Sequence, residues 1–199
     1  TRPGAAFGLH VRAFEGAFAS KVSGVMPTYT IHEGLQIDGR PVEAVGGGFN
    51  RTLLTDLLRG RHRFDGVILS DWGITRDCGE NCRTGATAHT PADIAMPWGV
   101  EALTVQQRFA KGVEAGLDQF GGTEESPMLV NAVRSGALTE ARLDASVRRI
   151  LVQTFALGLF EQPFVDEAHA TTVVGSAALR AEGEAAQRRA IVLLEQKPA

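Results

Sequence analysis

Residues 64–70, FDGVILS, form an almost unbroken apolar run of strand length, and this run narrows the fold more than any other feature of the chain. A strand with one face in water alternates apolar and polar residues; a continuous run is covered on both faces, as in the parallel sheets of α/β proteins. Directly upstream, NRTLLTDLLRG sets Leu53, Leu54, Leu57 and Leu58 at helical spacing. Asn50 is placed to cap the start of that helix and Gly60 its end. Earlier still, VSGVMPTYT reads as a short strand ending in a loop, behind an amphipathic helix over residues 5–20 that carries Leu9, Val11, Phe14 and Phe18. Between that strand and the leucine-rich helix, HEGLQIDGRPVEAVGGG is dense in glycine and turn residues and reads as a long connection. Its GGG at 46–48 lacks the spacing and the strand-to-helix setting of a phosphate loop.

Downstream of Trp72 the periodicity stops until near Val100, and a loop of that length is usually functional. A helix restarts at TVQQRFAKGVEAG, where Thr104 and Gln107 have the spacing of a capping box. GLDQFGG then reads as a short strand, and TEARLDASVRRILVQTFALGLF as an amphipathic helix with Leu143, Val147, Ile150 and Leu151 on one face. Strand and helix thus alternate, and the expected fold is α/β: the C-terminal part of a (β/α)8-type, TIM-like barrel over residues 1–162. Residues 163–175 read as a polar linker, and 176–199 as the start of a second, α/β sandwich domain, with a helix at 176–189 followed by the strand AIVLL.

The chain has 199 residues, 44% hydrophobic and 22% charged, a balance that supports a packed core and excludes wholesale disorder. A net charge of −3 without a basic stripe gives no electrostatic reason to expect nucleic acid or an anionic membrane as partner. No apolar segment approaches the ~20 residues that span a bilayer. The opening TRPGAAFGLH does not make a secretory signal, and both ends look like interior cuts, so the chain is expected to be a fragment. Cys78 and Cys82 lie in the loop segment RDCGENCRTG and cannot supply four zinc ligands unaided. They are either two free thiols or a short-loop disulfide, whose geometry a flexible loop can reach. The bridge is the reading adopted here, and it points to a periplasmic or secreted protein. The histidines His10, His32, His62, His89 and His169 show no metal-ligand spacing; each is expected at the surface or in a loop, and no metal or organic cofactor is expected.

Chemistry in (β/α) barrels gathers at the C-terminal strand ends. Asp71 holds that place in the FDGVILS strand. An aspartate there often caps the next helix, but no helix starts promptly at Trp72, which weakens that reading. An indole beside a carboxylate also suits a sugar, whose C–H face stacks on aromatic rings. Met26 and Tyr29 end the first strand and Asp118 ends the last; Asp118 reads mainly as a structural holder of a strand end. Asp65 and Asp77 read as turn or loop residues.

Taken in order, NRTLLTDLLRGRHRFDGVILSDWGIT closely resembles glycoside hydrolase family 3, with its leucine-rich LLR helix, FDG, and strand ending in SDW. GVMPTY, KGVEAGLDQF, LVNAVRSGALTEARLDASVRRIL and AAQRRAIVLL extend the resemblance over nearly the whole chain. The resemblance implies a retaining β-glycosidase in which Asp71 is the nucleophile, attacking the anomeric carbon to form a covalent glycosyl-enzyme. It implies that Trp72, Met26 and Tyr29 shape the subsite for the terminal sugar, with Tyr29 hydrogen-bonding the nucleophile. The implied substrate is a β-linked oligosaccharide or aryl glycoside carrying terminal glucose, with β-xylosides or exo-glucan ends as the alternative. A non-catalytic carbohydrate-binding barrel is the rival of another class, and Asp71 argues against it. The family's general acid, its Arg, Lys-His pair and further Asp are expected outside the chain, so that other parts of the polypeptide complete the active site and the fragment alone is inactive.

Overall fold

The strands, in chain order, are β1 (Gly24–Val25), β2 (Gln36–Ile37), β3 (Arg40–Pro41), β4 (Val67–Trp72) and β5 (Gln119–Gly121). The computed structural model describes residues 1–84 and 93–195. The expected strand over residues 64–70 is β4 with shifted bounds, starting at Val67 and taking in Asp71 and Trp72, and it is the middle of a parallel sheet ordered β1-β4-β5. Its first residues meet water least: Ile68 is fully buried, and so is Leu117 just before β5. Burying each such side chain contributes about 1.5–3 kcal/mol. They share a core with Val45, Phe49, Leu54, Leu58, Phe64, Ile74 and Val100.

β1 is shorter than VSGVMPTYT suggested. Proline at position 27 has no N–H to give a ladder, so pairing ends before it. The expected long connection contains a hairpin instead, with Gln36 paired to Pro41 and Ile37 to Arg40. Asp38 and Gly39 close it, both at positive φ (51° and 73°), which a two-residue turn of this kind requires.

The helices are α1 (Phe7–Ala19), a π-helix (Thr52–Arg61), α2 (Glu80–Thr84), α3 (Val105–Ala115), α4 (Ser126–Arg134) and α5 (Glu140–Ala156), and the π-helix and α3 supply Leu54, Leu58 and Ala115 to the core around the sheet. Asn50 accepts the Leu53 N–H at 3.1 Å, the capping contact expected of it. Gly60 does not end the leucine-rich helix. The wider winding carries the chain through it to Arg61, closes with the His62 N–H on the Leu57 carbonyl at 3.0 Å, and reverses at Arg63, φ 52°. His62 is half-buried there, its ring 5.2 Å from that of Phe18, rather than on the surface. The capping box of α3 forms as read: Gln107 N–H donates to the Thr104 hydroxyl, and Thr104 N–H to the Gln107 side chain. A second apolar cluster, Val113, Ala132 and Leu138, packs α3 against α4.

The chain divides into two units, Thr1–Gln153 and Thr154–Ala199. In the second, α6 (Glu167–Val173) stands where a polar linker was expected. Asp166 caps it by accepting the His169 N–H at 2.9 Å. α7 (Ala177–Ala190) matches the expected helix, but residues 191–195 form no strand. A strand needs a neighbour for its N–H and C=O groups, and this unit holds none among the described residues. Ile191, Val192, Leu193 and Leu194 are accordingly exposed. His89 lies outside the described residues. Among those described, no helix is long and apolar enough to cross a membrane.

Candidate active site at the end of the central strand

The end of β4 is where the ladder becomes irregular. Leu69 pairs with Gln119 and Trp72 with Gly121, so three steps along β4 match two along β5. The extra residue makes a bulge at Ser70–Asp71, a device that bends a strand and re-aims its side chains. Ser70 fills the gap in hydrogen bonding: its buried hydroxyl accepts the Gly121 N–H at 2.9 Å and donates to the Asp71 carbonyl oxygen at 2.7 Å. The sequence reading passed over Ser70, because a serine at the end of an apolar run carries no signal until the register is known.

Asp71 is half-buried, its Oδ1 accepting the Trp72 N–H at 2.8 Å. Tyr29 comes from the segment after β1 and donates its phenol to the Trp72 carbonyl oxygen at 2.8 Å. The same phenol sits beside the Asp71 carboxylate, and its pKa is pushed up to about 12 by burial first and by that neighbouring carboxylate next. Asp71, Trp72 and Tyr29 are thus brought together from positions 43 residues apart. Met26 lies at the end of β1, 54% exposed. It lines a cavity of about 630 Å³ with α1 residues Phe14 and Phe18 and with Leu54 and Leu58; Asp71, Tyr29 and Trp72 do not line it.

Trp72 is 48% exposed. Its indole rests on Gly121 and Gly122, so closely that a Cβ on Gly121 would stand 2.7 Å from the ring. Gly122 also takes a positive φ of 69°, which a residue with a Cβ adopts only with strain. The two glycines at the end of β5 are therefore the floor of an aromatic shelf beside the carboxylate.

The loop leaving the site turns at Gly73, whose N–H donates to the Gly121 carbonyl at 3.1 Å and whose carbonyl accepts the Met96 N–H at 3.2 Å. Cys78 and Cys82 are bridged, with Cα atoms 5.4 Å apart. Arg108 of α3, its side chain only 2% exposed, donates to the carbonyls of Val100, Thr75 and Glu101 and pairs with Asp77 at 2.6 Å. Asp77 is in the loop, as read, but it anchors that loop; Arg108 was missed, because its role depends on a loop more than thirty residues away.

Asp118 precedes β5 and so begins the last strand instead of ending it. Its fully buried carboxylate accepts the Ile68 N–H (2.9 Å) and the Ser146 hydroxyl (2.8 Å) and pairs with Arg149 (2.9 Å) and Arg59. Every partner is fixed protein, the arrangement of a structural holder. Among the described residues no cluster of His, Cys, Asp and Glu is set to hold a metal ion.

Comparison with known proteins puts a family on this architecture. Residues 6–152 match the glycosyl hydrolase family 3 N terminal domain. The chain is 53% identical over 94% of its length to a periplasmic beta-glucosidase/beta-xylosidase of Dickeya chrysanthemi, and 40% identical over 98% to beta-glucosidase C of Emericella nidulans. It spans 29% of each of those relatives. A solved structure of beta-glucosidase from Listeria innocua in complex with glucose superposes on 93% of the chain with a TM-score of 0.64 and 27% identity, the chain covering 22% of it. With more than half its residues inside the family match, the chain belongs to glycosyl hydrolase family 3.

Proposed function

We propose that this chain is the nucleophile-bearing part of a retaining β-glycosidase. The observation that carries the reading is Asp71 on a bulged strand end, beside an exposed indole and a protonated phenol. In this reading the Asp71 carboxylate attacks the anomeric carbon, the bond to the leaving group breaks, and water later hydrolyses the glycosyl-enzyme with retention of configuration. Tyr29, neutral at any working pH, stabilises the anion without competing for its proton. Trp72 supplies a stacking face for the sugar, whereas Met26, at the end of β1, faces a cavity that Asp71, Tyr29 and Trp72 do not line. The general acid that protonates the departing oxygen comes from polypeptide outside this chain, so the active site is completed by other parts of the same protein. The parallel sheet and its helices are, on this reading, the late portion of a (β/α)8 barrel.

The substrate is a β-linked oligosaccharide or glycoside, with glucose as the terminal sugar. A β-xyloside is the second reading, favoured by the paired activities in the name of the Dickeya chrysanthemi relative. That name and the Cys78–Cys82 bridge together support a periplasmic or secreted setting. The test is Asp71→Ala in the complete polypeptide. Turnover of an aryl β-glucoside is expected to vanish and to return in part with azide, which replaces the missing nucleophile; unchanged turnover would refute the assignment. The same assay with an aryl β-xyloside ranks the two sugars.

A further inference from the structure

We propose that Arg76 and Arg108 are positioning residues that fix the Trp72 indole as a sugar platform, an inference that rests on the reading of Asp71 and Trp72 as the sugar site. Trp72 is half exposed and lies on glycine backbone, so its own surroundings hold it from below. A stacking surface is useful only if that floor does not move. The floor is held by the loop that Trp72 itself leads into. The Arg76 guanidinium donates to the carbonyl of Gly122, the residue under the indole, and the Arg76 N–H donates to the Gly73 carbonyl at 3.3 Å. One nitrogen of Arg108 grips the residues on either side of Arg76: the Thr75 carbonyl at 3.1 Å and the Asp77 carboxylate at 2.6 Å. Its remaining donors go to the Val100 and Glu101 carbonyls at 3.1 and 2.9 Å. α3 is thereby joined to the indole through Arg108, then Thr75 and Asp77, then Arg76, then Gly122.

The expense of burying a guanidinium identifies the purpose of this chain of contacts. A buried cation destabilises unless partners surround it. Arg108 is 2% exposed, while Asp77 is 76% exposed and could have found water instead. A planar fork of donors holds several carbonyls at once, which a lysine ammonium does not reproduce. The path ends at Gly122, against the Trp72 indole, so neither arginine needs to touch substrate to hold that ring.

The experiment uses the complete polypeptide carrying fluorotryptophan, with the Trp72 resonance assigned by its loss in Trp72→Phe. Arg76→Met and Asp77→Ala are expected to raise KM for an aryl β-glucoside, the first about tenfold, as for one lost hydrogen bond, and the second less, because its carboxylate is largely exposed. kcat should change less than about twofold, and the Trp72 fluorine resonance should shift or broaden. Arg76→Lys should recover part of the KM. An unmoved Trp72 resonance in both variants overturns the proposal, even if melting temperature falls, because a purely structural role predicts that result. The resonance needs no turnover, so a failure of Asp71→Ala to abolish activity would remove the sugar-site reading and leave the Arg76–Trp72 linkage to be decided separately.

Discussion

Two aspartates border the same pair of parallel strands, and they live in opposite worlds. Asp118, beside the second residue of β4, has a fully buried carboxylate; two arginines, a hydroxyl and a backbone N–H occupy its oxygens. Asp71, three residues further along β4, is half-buried and meets one backbone N–H and a neutral phenol. A carboxylate whose attraction is spent on fixed cations stabilises a fold and is chemically inert. One held near weak partners keeps its charge available to a developing cation at an anomeric carbon. The residue type is the same, so the difference lies in which neighbours the topology delivers. Ionised, Asp118 is worth more to stability than to chemistry, and for Asp71 the reverse holds.

This contrast can be broken most directly at the buried end. Asp118→Ala leaves the half-buried guanidinium of Arg59 without its anion, and Arg142 beside it, and a loss of about 3–5 kcal/mol in urea unfolding is expected. Asp71→Asn, by contrast, should change stability by less than about 0.5 kcal/mol while eliminating turnover in the complete polypeptide. Similar stability losses at both positions would erase the distinction. The loop beyond Asp71 has a support of its own. Cys78→Ser opens a short loop and should cost about 2 kcal/mol on the chain-entropy view, measured as the shift in urea midpoint with m unchanged.

The smallest effect is also the most specific. Tyr29 is the lone tyrosine of the chain, so phenolate absorbance during alkaline titration reports it alone. Its pKa, near 10 when unfolded and about 12 when folded, means that the folded state favours the protonated phenol. The contribution is therefore fully present below pH 10 and is lost as pH rises through about 12. Asp71→Asn removes the charge beside the phenol and should move the folded value down toward 10, with burial keeping it above. An unchanged titration would mean that the two groups do not sense each other.

Much of the fold was legible because it depends on short-range pattern. The apolar run, the leucine spacing and the Thr104–Gln107 box each write their own local structure, and each formed. What misled the reading depended on partners. AIVLL has the composition of a strand, yet residues 191–195 have no neighbour to pair with in their unit among the described residues. The segment holding Asp38 and Gly39 was visible as a connection rich in turn residues, but not that Gln36 and Pro41 would face each other across it. Gly60 looked like a helix end because the pattern assumed α-winding, and the π-helix passes through it.

The site divides along the same line. That Asp71 and Trp72 stand at the end of a buried strand, and that the chain is kin to a family of glycosidases, was determined by the sequence alone, since ordered motifs survive without coordinates. Only the tertiary structure decided that Ser70 closes a bulge, that Gly121 and Gly122 lie under the indole, and that Arg76 and Arg108 grip the loop from α3. The physical reason is range. Burial and helix periodicity are set by neighbours a few residues apart, whereas a hydrogen bond's partner is set by register and packing between segments that only folding brings together.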